Sequence, residues 1–169
     1  MSTRSIIAVM HGNKAKAVYC HWDGYVAHNG AILNEHYDSV KANKLVSMGD
    51  LSSLGANIGE AHPFSEHDIA EDDANRLAKL ALHKRAEDEE WCTFYGRDRG
   101  EEDTGYQTFQ SLNDMLEAAE GRWAEYAYIL KGNEWFYTKR TVIQEDEQFV
   151  TVWAPLEFLS EALKTKEAV

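Results

Sequence analysis

Proline and cysteine are scarce, with two of each in 169 residues. Cys20 and Cys92 stand alone, without a C-x-x-C pair or a ladder of spacings, so the pattern encodes neither a disulfide framework nor a zinc ribbon. Both are expected as buried, reduced thiols. No run of eighteen apolar residues occurs, and no membrane-spanning helix is expected. The opening residues 1–10 hold an apolar run too short for a signal-peptide core, with no small-residue cleavage site behind it, which points to a cytoplasmic protein. Positive charge is also in deficit: 17 Lys and Arg face 29 Asp and Glu, a net charge of −12. That balance excludes a phosphate-tracking nucleic-acid binder as the default reading, so no direct nucleic-acid binding is expected. Gly96 and Gly100 are not followed by Lys-Ser/Thr, so they make no P-loop. His21, His28 and His36 lie seven and eight residues apart, which is not a zinc spacing, and nothing resembles H-E-x-x-H. No metal or cofactor is expected.

What is present suffices for a core. Apolar residues make up 44% of the chain and aromatics 11%, which is incompatible with general disorder. The length fits one domain, residues 1–169. Residues 4–10 and 15–22 read as two strands around the turn His11-Gly12-Asn13-Lys14, a hairpin. Helical spacing recurs over 29–38, and a second helix starts at Asp38 as N-cap and stops at Gly49. Residues 50–55 read as a loop, 65–88 as a helix capped by Ser65, 91–95 as a strand and 96–105 as a charged loop. Ser111 opens a helix to Glu120. Strands follow at 124–130, 134–138 and 148–153, the first two joined through Lys131-Gly132-Asn133. Pro155 starts a last helix. This order predicts an α+β fold, a single domain with a mainly antiparallel sheet and helices packed on one face.

The charge is unevenly placed. Residues 1–59 carry four acids and five bases, whereas residues 60–103 carry fourteen acids and six bases, a balance of −8. The segment 56–90 therefore reads as an acidic, helical stretch.

Two groups of residues could carry chemistry. The first is Tyr19-Cys20-His21-Trp22-Asp23-Gly24-Tyr25 with His28-Asn29-Gly30, at a strand–loop–helix junction that suits a ligand pocket. His21 or His28 could move a proton with Asp23 orienting it. The quieter reading makes Trp22 and Tyr25 core residues and Asp23-Gly24 a turn. The second is Arg97-Asp98-Arg99-Gly100, where two guanidinium forks could meet one anion. Here the quieter reading pairs both arginines with neighbouring acids in a solvated loop. The acids Glu66, Asp68, Glu71, Asp72 and Asp73 could also imitate a row of phosphates, although a solvated helix face explains them more simply.

The segments Met1-Ser2-Thr3-Arg4-Ser5, 19–25 with 28–30, Glu35-His36-Tyr37, 49–55, 95–101 and Trp123-Ala124-Glu125-Tyr126 together resemble a family of small uncharacterised proteins of tailed bacteriophages and prophages. The resemblance covers about residues 1–55 and 91–140 and implies that the acidic segment 56–90 is the more variable one. It implies a bacterial host cytoplasm as the setting and supplies no mechanism. The expectation is an accessory protein acting by binding, its partner a small anionic, nucleotide-like ligand or a host protein. The candidate pocket comprises His21, Trp22, Asp23, Tyr25, His28, Arg97 and Arg99. One alternative is a phosphoester or nucleotide hydrolase using His21 and Asp23 with an Arg97–Arg99 clamp. The other is an acidic decoy of DNA, for a host DNA-binding protein, carried by residues 66–90 with Glu66, Asp68, Glu71, Asp72 and Asp73 as its face.

Overall fold

In the computed structural model, residues 2–165 are described; Met1 of the opening segment and residues 166–169 lie outside the described residues. The chain begins with the expected hairpin, β1 (Ser5–His11) and β2 (Lys14–Cys20). One turn of π-helix, Val26–Gly30, leads into α1 (Ala31–His36) and α2 (Ser39–Ser47). A short β3 (Leu51–Ser53), a 3-10 turn at Glu66–Asp68 and α3 (Arg76–Asp88) follow. Next come β4 (Thr93–Phe94), α4 (Tyr95–Arg99), β5 (Gln107–Phe109) and α5 (Leu112–Gly121). β6 (Tyr126–Lys131), β7 (Glu134–Glu145), β8 (Gln148–Trp153), β9 (Glu157–Phe158) and α6 (Leu159–Leu163) complete the order.

Two hairpins make the centre of the sheet. In each, a Gly-Asn pair fills a two-residue loop, and Gly12 and Gly132 take φ of +63° and +61°. A side chain there would be strained, which is why glycine leads both tips. β1 and β6 then lie parallel, Ser5↔Tyr126 through Val9↔Leu130, with both tips at the same end. Across the sheet the order is β4-β3-β2-β1-β6-β7-β8, with β5 on β2 and β9 on β7. Only β1–β6 and β2–β3 pair in parallel, so the sheet is mixed and mainly antiparallel.

Strand alternation divides the core. Ile7, Val9, Val18, Cys20, Tyr128 and Leu130 face one way, under α1, α2 and α6, which contribute Leu33, Leu45, Val46, Leu159 and Ala162. Each fully buried leucine in this layer is worth about 1.5–3 kcal/mol. The helices thus gather on one face as the sequence suggests, with one addition. α5 covers the opposite face through Met115 and Ala119, over Ile6, Ala8, Ala15, Ala17, Ala127 and Ile129. Four of those six are alanine, and short side chains let a helix approach the strands closely.

Helix caps fall where expected: Lys41 N–H donates to Asp38 Oδ1 (2.8 Å) and Asp114 N–H to Ser111 Oγ (3.1 Å). Such caps are worth about 1 kcal/mol each. Other segments differ from expectation. Residues 51–53 of the expected loop pair with β2 and β4. The helix expected over 65–88 starts only at Arg76. Asp73 accepts from Asn75 N–H (2.7 Å) and Arg76 donates to Ile69 O (3.0 Å), which holds residues 69–75 in turns. Tyr95, the last residue of the expected strand, and residues 96–99 of the expected charged loop form α4, which Gly100 ends at φ +72°. β7 runs beyond Thr138 to Glu145 and turns through Asp146 and Glu147, both left-handed at φ +46° and +68°, into β8. Pro155 starts no helix; β9 intervenes before α6.

Candidate functional site

The segment after β2 keeps pairing with β3 for two more residues: His21 N–H donates to Leu51 O (3.1 Å) and Trp22 N–H to Ser52 O (3.0 Å). Asp23 then turns the chain at φ +56°. Gly24 lies against the start of β1, its N–H on Thr3 O (2.8 Å), and a Cβ here would stand 2.8 Å from both Thr3 O and Ser5 Cβ. Buried Asn29 ties the loop together. Its Nδ2 reaches Trp22 O (3.2 Å), Ser5 Oγ (3.4 Å) and Cys20 Sγ (3.4 Å), and its Oδ1 lies 2.9 Å from His28 Nδ1. An amide oxygen only accepts, so His28 donates from Nδ1 and, when neutral, offers Nε2 as an acceptor.

His21 has a different orienter from the expected one. Its Nδ1 sits 2.8 Å from the Tyr19 hydroxyl. Among the described residues the Asp23 carboxylate bonds neither imidazole. Burial, and then the charge of Arg4, lowers the His21 pKa, while burial raises that of Tyr19. Trp22 and Tyr25 are not core residues; they are 44% and 41% exposed. Cys20 and Cys92 are free and buried, and burial pushes the Cys20 thiol up to about 12 and raises Cys92 as well.

The two arginines of the 97–99 segment part company. Arg97 turns inward: Nε donates to Asp98 Oδ1 (2.9 Å), Nη1 to Ile58 O (2.9 Å) and Gly59 O (3.2 Å), and Nη2 to Cys92 O (3.0 Å). Asp98 is fully buried and also accepts from Phe94 N–H (2.8 Å) and His62 N–H (3.1 Å). The ion pair of the quieter reading exists, but as an internal clamp rather than a solvated one. Arg99 points outward, its guanidinium 4.6 Å from the Phe64 ring centroid, and its closest carboxylate is Glu101 at 3.8 Å. No hydrogen bond of Arg99 to a described residue is formed, so its fork of donors stays open.

Two clefts meet at His62. One, of about 380 Å³, is lined by His28, His62, His83, Glu87, Trp91 and Thr93 among others. His62 is held there by Glu60 O (2.8 Å) and Thr93 Oγ1 (3.2 Å). His83 Nδ1 is buried without a hydrogen-bond partner, with Glu87 Oε1 at 3.6 Å and Glu66 Oε1 at 3.9 Å. No group of three or more His, Cys, Asp or Glu among the described residues is placed to hold a metal ion. The second cleft, of about 550 Å³, is lined by His62, Phe64, Asp68, Lys79, Asp98 and Arg99 among others. Of the residues singled out in the sequence, His28 lies in the first cleft and Arg99 in the second; His21, Trp22, Asp23, Tyr25 and Arg97 line neither. His62, Phe64, Lys79 and His83 carry no local motif that would single them out.

The acids are dispersed. Glu66 and Asp68 sit in a 3-10 turn, Glu71 and Asp72 in the turns that follow, and Asp73 pairs with Lys79 at 2.5 Å. They form no row along a helix. No helix among the described residues is long and apolar enough to cross a membrane. Compared with family models, with curated proteins and with solved structures, the chain matches none.

Proposed function

We propose that the chain is a phage or prophage accessory protein that acts by binding, and that the Arg99 cleft seats a small nucleotide-like anion. One observation carries this reading: the Arg99 guanidinium stands 4.6 Å over the Phe64 ring with its donors unspent, whereas its neighbour Arg97 is consumed by internal bonds. A guanidinium already ordered by an aromatic face loses little freedom on meeting a phosphate or carboxylate. Lys79, on the same lining, is paired with Asp73, so the anion is left to the Arg99 guanidinium, and the cleft of about 550 Å³ leaves room for a ring beside it. The resemblance to phage and prophage proteins supplies the setting.

Thermal unfolding with a panel of nucleoside monophosphates and cyclic dinucleotides tests it. A ligand at 100 times its Kd stabilises by about 2.7 kcal/mol, or about 5–11 °C for a domain of this size. The shift is expected in the parent and lost in Arg99→Gln. No shift with any nucleotide, or a shift that survives Arg99→Gln, would overturn the reading. Recovering the ligand unchanged supports binding, and turnover would replace it with the hydrolase alternative.

A further inference from the structure

Trp123 stands against two ordinary preferences at once. α5 ends in a Schellman-type cap: Trp123 N–H donates to Glu120 O (3.1 Å) and Ala124 N–H to Ala119 O (3.2 Å). The residue between helix and strand in such a cap is left-handed and is commonly glycine. Here it is tryptophan at φ +62°, and its side chain is 77% exposed. The indole therefore repays neither the backbone conformation nor its own hydration by packing. A glycine lies two residues earlier, at Gly121, where nothing demands one.

Beside the indole lies a cleft of about 640 Å³, lined by Ser2, Arg4, Glu120, Trp123, Ala124, Glu125, Arg140 and Thr151, where the chain enters β1 and β6 and passes along β7. Its two guanidinium groups differ. Arg140 is committed to Glu120 Oε1 (2.6 Å) and Thr151 O (3.2 Å). Arg4 has two hydrogen bonds, to Ser2 Oγ and Arg122 O, both stretched to 3.5 Å, at the limit of a real bond.

We propose that this cleft binds a planar aromatic carboxylate, the ring stacked on Trp123 and the carboxylate held by Arg4. An indole is the strongest of the aromatic platforms, and a guanidinium fork matches a carboxylate in the plane of the ring's substituent. The charge of the lining argues for a monoanion. Arg4 and Arg140 are balanced by Glu120 and Glu125, so the lining is neutral overall and a singly charged carboxylate meets less repulsion from the two glutamates than a phosphate dianion does. The site shares no lining residue with the Arg99 cleft and does not rest on the function proposed for it.

Isothermal titration with 2-naphthoate tests it on the full chain, with 2-naphthamide as the neutral isostere and cyclohexanecarboxylate as the non-planar one. Both controls are expected to bind about tenfold more weakly or worse, as is 2-naphthoate to Trp123→Gly and to Arg4→Gln. Trp123→Gly relieves the left-handed corner, so its Tm is expected to equal or exceed the parent's by up to about 2–4 °C. That separates lost stacking from lost folding. Arg99→Gln is expected to leave 2-naphthoate binding unchanged. The proposal is overturned by absent 2-naphthoate binding, by an amide that binds as well as the acid, or by cyclohexanecarboxylate binding equally. Undiminished binding to Trp123→Gly or Arg4→Gln, a lower Tm for Trp123→Gly, or loss on Arg99→Gln would overturn it equally.

Discussion

Arg97 and Arg99 are two residues apart and chemically identical, yet their removal should differ widely. Replacing Arg97 with alanine leaves the carboxylate of Asp98, which is 0% exposed, without its cation. The carbonyls of Ile58, Gly59 and Cys92 lose the donors that hold residues 58–59 against the start of β4. Removing one partner of a buried ion pair costs about 3–5 kcal/mol. At about 2–4 °C per kcal/mol for a domain of this size, Tm should fall by about 6–20 °C. Arg99 and Glu101 are 49% and 45% exposed at a separation of 3.8 Å, and breaking such a pair costs less than about 0.5 kcal/mol. Arg99→Ala should therefore unfold within about 2 °C of the parent. Circular dichroism at 222 nm, followed through thermal and urea unfolding of the three proteins, decides the matter. An Arg97→Ala protein as stable as Arg99→Ala would refute the internal-clamp reading of α4.

Two further outcomes follow from buried groups. Because burial raises both thiols, Cys20 to about 12, neither should react with an aromatic disulfide reagent at pH 8 in the folded protein, and both should react in denaturant; rapid labelling of the native chain would contradict this. His21 has a folded pKa below its ordinary 6.5. The unfolded chain therefore takes the proton first, and stability present above about pH 6.5 is lost as pH falls through the lower folded pKa. An NMR titration of the His21 ring should show a midpoint below 6.5; a midpoint at or above that value would remove the predicted acid loss.

The parts of the fold that were legible share a physical property: their signals are local. The β-branched, apolar run of 4–10, the alternation in 15–22, the Gly-Asn pairs of both tips, and the side chains of Asp38 and Ser111 each act within four residues of themselves. β3, at three residues, is a strand only because β2 presents an edge for it, and no periodicity can announce so short a segment; of the strand expected over 91–95, Thr93 and Phe94 form β4, with β3 as its edge. The apolar stripe seen over 65–88 overran the true helix because Asp73 accepts from Asn75 N–H and Arg76 donates to the carbonyls of Ile69 and Ala70, which holds this stretch in turns.

The candidate site divides in the same way. Composition and motif alone determined that the two cysteines stand apart, that the chain carries excess negative charge, and that the residues around His21 and Arg97 form polar junctions beside strands. Tertiary structure alone decided which charged groups remain free. Asp98 and Asn29 consume Arg97 and His28 Nδ1, Tyr19 takes His21 from Asp23, and Phe64 holds Arg99 open. A hydrogen bond is spent on whichever partner the fold brings within about 3 Å. For these residues the partner can lie tens of positions away, as Ile58 does from Arg97, beyond the reach of any local pattern.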